Sequence, residues 1–173
     1  MIGVGLVGLG EIGQVLLAGL RESASVGALT ICDLDADLVE RSRGEDGGAG
    51  SLEELLADDD ISVIDVCLPH HLHAPYALQA IEAGRHVLLE KPMAMSVTEC
   101  DLIIAAADTA GVSVGVSHNQ LFYDPHVRLA EMLDQGEFGD LRAVRARLAI
   151  GGKYGAWRSN PDQAGGGLVM DAG

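Results

Sequence analysis

Ile2-Gly3-Val4-Gly5-Leu6-Val7-Gly8-Leu9-Gly10-Glu11-Ile12-Gly13, at the start of the chain, decides the fold. A short apolar run flows into a G-x-G-x-x-G turn, and an acid, Asp33, follows twenty residues after the last glycine. Each glycine has a physical task in a dinucleotide site: Gly8 permits the tight turn off the strand, Gly10 lets backbone approach a pyrophosphate, and Gly13 allows close helix–strand packing. The phosphates then lie on the positive end of the helix that begins near Glu11, with Ile12 beside them. Ile12, Val15, Leu16, Gly19 and Leu20 recur at the spacing of one helix face, so strand, glycine turn and amphipathic helix come in the required order.

Outward from that unit, strand and helix alternate. Residues 26–32 read as a second strand and 35–43 as its helix, and 44–50 as a loose glycine-rich connection. A short helix is expected over 51–57, where Ser51 and Glu54 form a capping box. Residues 61–68 form a continuous apolar strand ending at Pro69, 74–83 a helix closed by Gly84, and 87–90 another strand. A second capping box, Ser96 and Glu99, opens a helix with Cys100, Ile103, Ile104 and Ala107 on one face, and 112–116 is the last strand of the series. Such alternation implies right-handed crossovers, hence an α/β fold: a doubly wound parallel sheet of Rossmann type over 1–120. Beyond Asn119 the character changes. A helix is expected over 125–135 with Leu129, Met132 and Leu133 inward, stopped by Gly136. Residues 141–150 then alternate, with Val144, Ala146 and Leu148 on one face and Arg145 and Arg147 on the other, as in a half-exposed strand of a different sheet. Residues 121–173 are therefore expected to begin a second domain.

The formal net charge is −15, almost all of it before residue 121. So acidic a surface repels nucleic acid and anionic membranes, and neither is expected as a partner. No apolar run reaches the ~20 residues that a membrane-spanning helix needs. Met1-Ile2 enters a strand with no basic segment or cleavage site, so a cytoplasmic address is expected. Cys32, Cys67 and Cys100 lie far apart without metal-ligand spacing and read as free thiols.

Asp33 sits where a carboxylate reaches the adenosine ribose hydroxyls; it would repel a 2′-phosphate, which favours NAD over NADP. The alternative is that it caps the following helix. Glu90-Lys91-Pro92 comes directly after an apolar strand, and a parallel strand delivers the residues past its carboxyl end into the ligand crevice, aiming Lys91 at the cofactor's reactive end. Pro92 is suited to a cis bond. His70, His71 and His73 splay around the turn after Pro69, which favours a place beside the cofactor over a metal site; no metal is expected. His118 and Asn119 end the last strand at the crevice as candidates to touch substrate or nicotinamide, or, for His118, as a satisfied strand-end residue. Lys153 and Arg158 read as surface charges or as contacts to a polyol.

Together, the glycine turn, Pro69-His70-His71-Leu72-His73, the run Glu-Ala-Gly-Arg-His-Val-Leu-Leu-Glu-Lys-Pro over 82–92, and Gly165-Gly166-Gly167 with Asp171 resemble the glucose-fructose oxidoreductase/inositol dehydrogenase/MocA family. The resemblance implies an N-terminal Rossmann domain that binds a nicotinamide nucleotide. It also implies a C-terminal α/β domain whose open, mostly antiparallel sheet covers the substrate and mediates homo-oligomers. Members oxidise or reduce carbon–oxygen bonds of sugars, cyclitols and related polyols. By similarity Lys91 matches the catalytic lysine and Asp171 the acid of a D-x-G-x-H motif. Cofactor contacts are implied for Gly8, Gly10, Glu11, Ile12, Gly13, Asp33, Leu68, Pro69, His70, His73, Glu90 and Lys91, and substrate contacts for Lys91, His118, Asn119, Trp157, Arg158 and Asp171.

The implied reaction moves a hydride between a carbinol carbon and the nicotinamide, with the Lys91 ammonium stabilising charge on the oxygen and Asp171 orienting the substrate or the base. The sequence departs from the family in three places. The motif's histidine falls two positions past Gly173, Asn is usual where His70 stands, and the 44–50 stretch is short where a third strand is expected. Family chains are about twice as long, so the chain is expected to be an incomplete enzyme. Two other readings stay open: an NAD-binding chain that senses rather than catalyses, and a Rossmann dehydrogenase of a non-sugar substrate.

Overall fold

The computed structural model describes residues 1–147 and 156–172. Six parallel strands, β1 (Ile2–Val7), β2 (Val26–Cys32), β3 (Gly47–Ala49), β4 (Val63–Val66), β5 (His86–Glu90) and β6 (Val114–Ser117), form one sheet in the order β3-β2-β1-β4-β5-β6. This is the doubly wound Rossmann order, and it reverses direction between β1 and β4, where such sheets open a crevice at the strands' carboxyl ends.

The helices are α1 (Glu11–Glu22), α2 (Ala36–Arg43), α3 (Leu52–Leu56), α4 (His73–Glu82) and α5 (Val97–Ala110), followed by α6 (Asp124–Asp134), α7 (Pro161–Ala164) and α8 (Leu168–Ala172). Both serine caps form: Ser51 accepts from the Glu54 amide at 3.3 Å, and Ser96 accepts from the Glu99 amide at 3.2 Å, while each glutamate accepts from the amide one residue earlier, Gly50 and Met95, rather than from the serine's own. Two apolar layers result. One holds Leu55, Ile64, Ala77, Leu89 and Ile103, and the other Leu6, Leu9, Leu17 and Ile31. Each fully buried leucine or isoleucine contributes roughly 1.5–3 kcal/mol.

Several expectations need correction. The 44–50 stretch contains a true third strand, whose glycines hid it: Gly47, Gly48 and Ala49 pair with Thr30, Ile31 and Cys32, with no side-chain alternation to announce it. The buried face of α1 runs through Gly13 and Leu17, while Ile12 and Val15 are 40% and 67% exposed. Gly13 must lie against the turn after β1, and that contact fixes the helix's rotation. In α5, Ile103 and Ala107 are buried one turn apart, and Ile104 faces outward.

The tail departs further. Helix α6 buries none of its residues, Leu129 and Leu133 included, its main described neighbour being the single turn Asn119–Phe122 that precedes it. Residues 141–147 form no strand and are exposed, having no described strand to pair with; 148–150, with Leu148, lie outside the described residues. A mostly antiparallel second sheet is therefore not seen among the described residues. One strand carries a surprise: Asp65, in the apolar run of β4, is 1% exposed.

Candidate functional site

A cleft of about 620 Å³ opens at the carboxyl ends of the strands, over the switch between β1 and β4, within the size range of small-molecule sites. Its floor is the glycine turn. Gly8 has φ 98°, a conformation that L side chains rarely adopt. A Cβ there would strike the carbonyl oxygen of Cys67, and one on Gly13 would strike that of Gly8. Gly10 is different. It caps α1 with no side-chain hydrogen bond, and a Cβ there would meet nothing within 4 Å. The open space at Gly10, bounded by Glu11 and Ile12, faces the cleft where the helix presents its free amides.

On the β2 side stands Asp33, whose Oδ2 accepts from the Leu9 amide at 2.7 Å and whose Oδ1 accepts from the Asp35 amide at 3.0 Å. These bonds tie the carboxylate to the glycine turn. Helix α2 is capped instead by Asp35, which accepts from the Leu38 amide, so the capping alternative for Asp33 falls away.

On the β5 side, Leu68, Pro69, His70, Glu90 and Lys91 line the cleft together with Asn119, Trp157, Arg158 and Asp171. The Lys91–Pro92 peptide is cis. Lys91 Nζ donates to the carbonyl of Asp171 at 2.6 Å and to its Oδ1 at 2.9 Å, joining residues 80 apart in sequence. Two of the ammonium's three protons are used there, which leaves one for an oxygen in the cleft. Oδ1 also lies 3.5 Å from His70 Nε2, and Oδ2 lies 3.9 Å from Arg158 Nε. The Arg158 guanidinium sits 4.5 Å over the Trp157 ring, which in turn meets His70 edge-on with centroids 4.6 Å apart.

Two expected residues lie elsewhere. His73 is fully buried behind the wall, its ring nitrogens 2.7 Å and 2.8 Å from the carbonyls of Pro92 and Leu68, so it acts on the cleft only through those residues. His118 is exposed and does not line the cleft. Lys153 lies outside the described residues. Among the described residues no group of three or more His, Cys, Asp or Glu is disposed to hold a metal ion, and no helix is long and apolar enough to cross a membrane.

Sequence reading missed three features. Cys67 lines the cleft, with its thiol pushed up to about 12 by burial and by the carboxylates of Glu90 and Asp65. Ser51, Glu53 and Tyr76 also line it. The Ala164 carbonyl, from the stretch before the glycine triplet, reaches His70 Nδ1 at 2.9 Å. Only the first carried a sequence signal, its place at the end of an apolar strand.

A family model described as an oxidoreductase family with an NAD-binding Rossmann fold, GFO/IDH/MocA, matches residues 2–118, and the model of the GFO/IDH/MocA C-terminal domain matches 126–173. The chain is 32% identical over 146 residues to 1-carboxy-3-chloro-3,4-dihydroxycyclohexa-1,5-diene dehydrogenase of Comamonas testosteroni, covering 83% of this chain and 37% of that protein. It is 29% identical over 172 residues to 1,5-anhydro-D-fructose reductase of Ensifer adhaerens, covering 96% and 52%. Among solved structures, a 3-ketoreductase from Actinomadura kijaniata in complex with NADP and TDP-benzene superposes with a TM-score of 0.90 at 29% identity, covering 99% of this chain and 54% of that one. The gentamicin A biosynthesis protein GenD2 in complex with NAD superposes with a TM-score of 0.85 at 29% identity, covering 98% and 50%. The chain thus spans about half the length of such relatives. It belongs to the GFO/IDH/MocA oxidoreductase family.

Proposed function

We propose that this chain carries the cofactor cleft and part of the reaction centre of an NAD-dependent oxidoreductase that interconverts a carbinol and a carbonyl on a sugar, cyclitol or related polyol. The observation that carries the reading is the meeting, in one cleft, of the glycine turn with the Lys91–Asp171 pair. The bare approach at Gly10 and the α1 amides fit a pyrophosphate, and Asp33, held against the turn, fits a ribose diol and disfavours a 2′-phosphate. Glu11, Ile12, Gly13, Leu68, Pro69, His70 and Glu90 complete the cofactor contacts in this reading, with His73 supporting them from behind. Bound there, a nicotinamide supplies the hydride acceptor or donor.

The chain's own residues do the rest. Lys91, anchored by two bonds to Asp171, donates its remaining proton to the substrate oxygen and stabilises the negative charge that develops as the C–H bond weakens. Asp171 fixes that ammonium and, with Arg158 and Trp157, shapes the polar side of the substrate pocket; Asn119 borders it. The domain division at about residue 120, a second domain with a mostly antiparallel sheet, and homo-oligomers formed through that sheet belong to the same proposal, which the match of 126–173 to the family's C-terminal domain supports. Calorimetry with NAD, followed by turnover on a polyol panel, tests it. Binding of NAD by the chain, with dehydrogenation of at least one polyol by a full-length enzyme that carries it, is the expected result, and absence of NAD binding would overturn it.

A further inference from the structure

Oxidation of a hydroxyl releases a proton, and the Lys91 ammonium has room for it only after passing one on. His70 stands where that proton can go. The ring is 3% exposed and lines the cleft. Its Nδ1 is 2.9 Å from the Ala164 carbonyl, and a carbonyl only accepts, so Nδ1 carries the hydrogen. A neutral ring then keeps its lone pair on Nε2, which lies 3.5 Å from Asp171 Oδ1. The same oxygen takes Lys91 Nζ at 2.9 Å. Substrate-facing ammonium, carboxylate and imidazole therefore lie in a line that ends on a basic nitrogen, the last step being a 3.5 Å approach that becomes a hydrogen bond when a proton enters it.

Building on the oxidoreductase reading, we propose that His70 is the final acceptor of the substrate proton, held as its Nδ1–H tautomer by Ala164 and reached through Lys91 and Asp171. Lys91 Nζ passes a proton to Asp171 Oδ1, Oδ1 passes one to His70 Nε2, and Nζ refills from the substrate hydroxyl. The substrate O–H bond breaks and its electron pair forms the C=O bond, an N–H bond forms at Nε2, and the carbinol hydrogen leaves with its electron pair as a hydride, for which a bound nicotinamide dinucleotide would be the acceptor. Lys91 ends as an ammonium and Asp171 as a carboxylate facing an imidazolium. Reduction of a carbonyl runs the same line backwards.

The surroundings suit a ring that waits empty. Burial, the largest influence, pulls its proton affinity below the ordinary histidine value of 6.5. The Ala164 carbonyl and the Asp171 carboxylate from α8 oppose that, while His73 from α4, with ring centroids 5.7 Å away, and Lys91 after β5 reinforce it. Arg158 reaches the other oxygen of Asp171, and Trp157 covers the ring's edge. The net effect is a neutral imidazole near neutral pH, able to accept.

Ring-nitrogen NMR on the 173-residue chain tests this without turnover, the His70 signals being assigned by their loss in His70→Asn. Near neutral pH, Nδ1 should bear the hydrogen and Nε2 should be bare. On acidification Nε2 should protonate, with a midpoint that moves to lower pH in Asp171→Asn and to higher pH in Lys91→Met. A bare Nδ1, a protonated Nε2 near neutrality, or a midpoint indifferent to both substitutions overturns the proposal. NAD calorimetry on the same samples separates the two claims: NAD binding with the wrong tautomer refutes only the role of His70, and the right tautomer without NAD binding refutes the oxidoreductase reading. With a substrate in hand, the acid limb of kcat/KM should vanish in His70→Asn, whose amide keeps a donor for Ala164; a persisting limb overturns the role.

Discussion

Replacing Asp65 by asparagine removes a charge from inside the sheet, and the structure fixes the size and sign of the effect. Both carboxyl oxygens of Asp65 are buried without a hydrogen-bond partner among the described residues. Burial, and then the Glu90 carboxylate on the neighbouring strand, pushes this carboxyl from 3.8 up to about 7. The folded state thus holds a proton that the unfolded chain releases, so the contribution of this carboxyl to stability is most favourable below about pH 4, falls as pH rises towards about 7, and stays low above that. At about pH 8 the cost is about 4 kcal/mol, a large part of the 5–15 kcal/mol typical of a folded domain.

Asparagine has the same shape and no charge. Its amide is as poorly paired as a protonated carboxyl, so the substitution should be nearly neutral at about pH 4 and stabilising by about 4 kcal/mol at about pH 8. Urea denaturation of both proteins at the two pH values gives the difference, in which titrating groups that do not interact with Asp65 cancel. If the gap between wild type and Asp65→Asn changes by less than about 1 kcal/mol between those pH values, Asp65 is not a buried, uncompensated acid.

Three other outcomes are expected of the site. Lys91→Met should lower kcat at least ~100-fold in the enzyme acting on its polyol while NAD affinity is largely kept; unchanged turnover would show the lysine to be a spectator. Gly13→Ala should destabilise the chain and abolish NAD binding together, because its Cβ would strike the Gly8 carbonyl oxygen; a stable variant with normal affinity refutes the packing role given to that glycine. Gly10→Ala, whose Cβ meets only the open cleft, should fold normally and lose NAD affinity, and unaltered affinity would place the pyrophosphate elsewhere.

Local features were the legible ones in the sequence. The β1-turn-α1 unit could be read because an apolar run, three glycines and an acid must fall in a fixed order to make that turn. Both serine caps were visible because their partners are three residues apart. Strand β3 was not, since three residues with two glycines leave no alternation. The rotation of α1 also escaped, because its apolar positions outnumber those the sheet can cover, and the choice among them falls to the contact of Gly13 with Gly8. At the site, Lys91 and Asp171 were nameable by resemblance, but their bond joins residues 80 apart. The bond from Ala164 to His70 is likewise a product of the fold: nothing near His70 in the chain announces which ring nitrogen carries its hydrogen. The helix over 124–134 was legible as a helix, whereas its inward face was not, because burial depends on a neighbour that local periodicity cannot supply.

The central claim is that this cleft receives NAD, with Asp33 on the ribose. Calorimetric titration of the chain with NAD and, separately, with NADP tests it most directly. The account predicts that NAD binds about tenfold or more tightly than NADP, a difference of about 1.4 kcal/mol or more, and that Asp33→Ser narrows the gap. Equal affinities, a preference for NADP, or no binding of either nucleotide would contradict it.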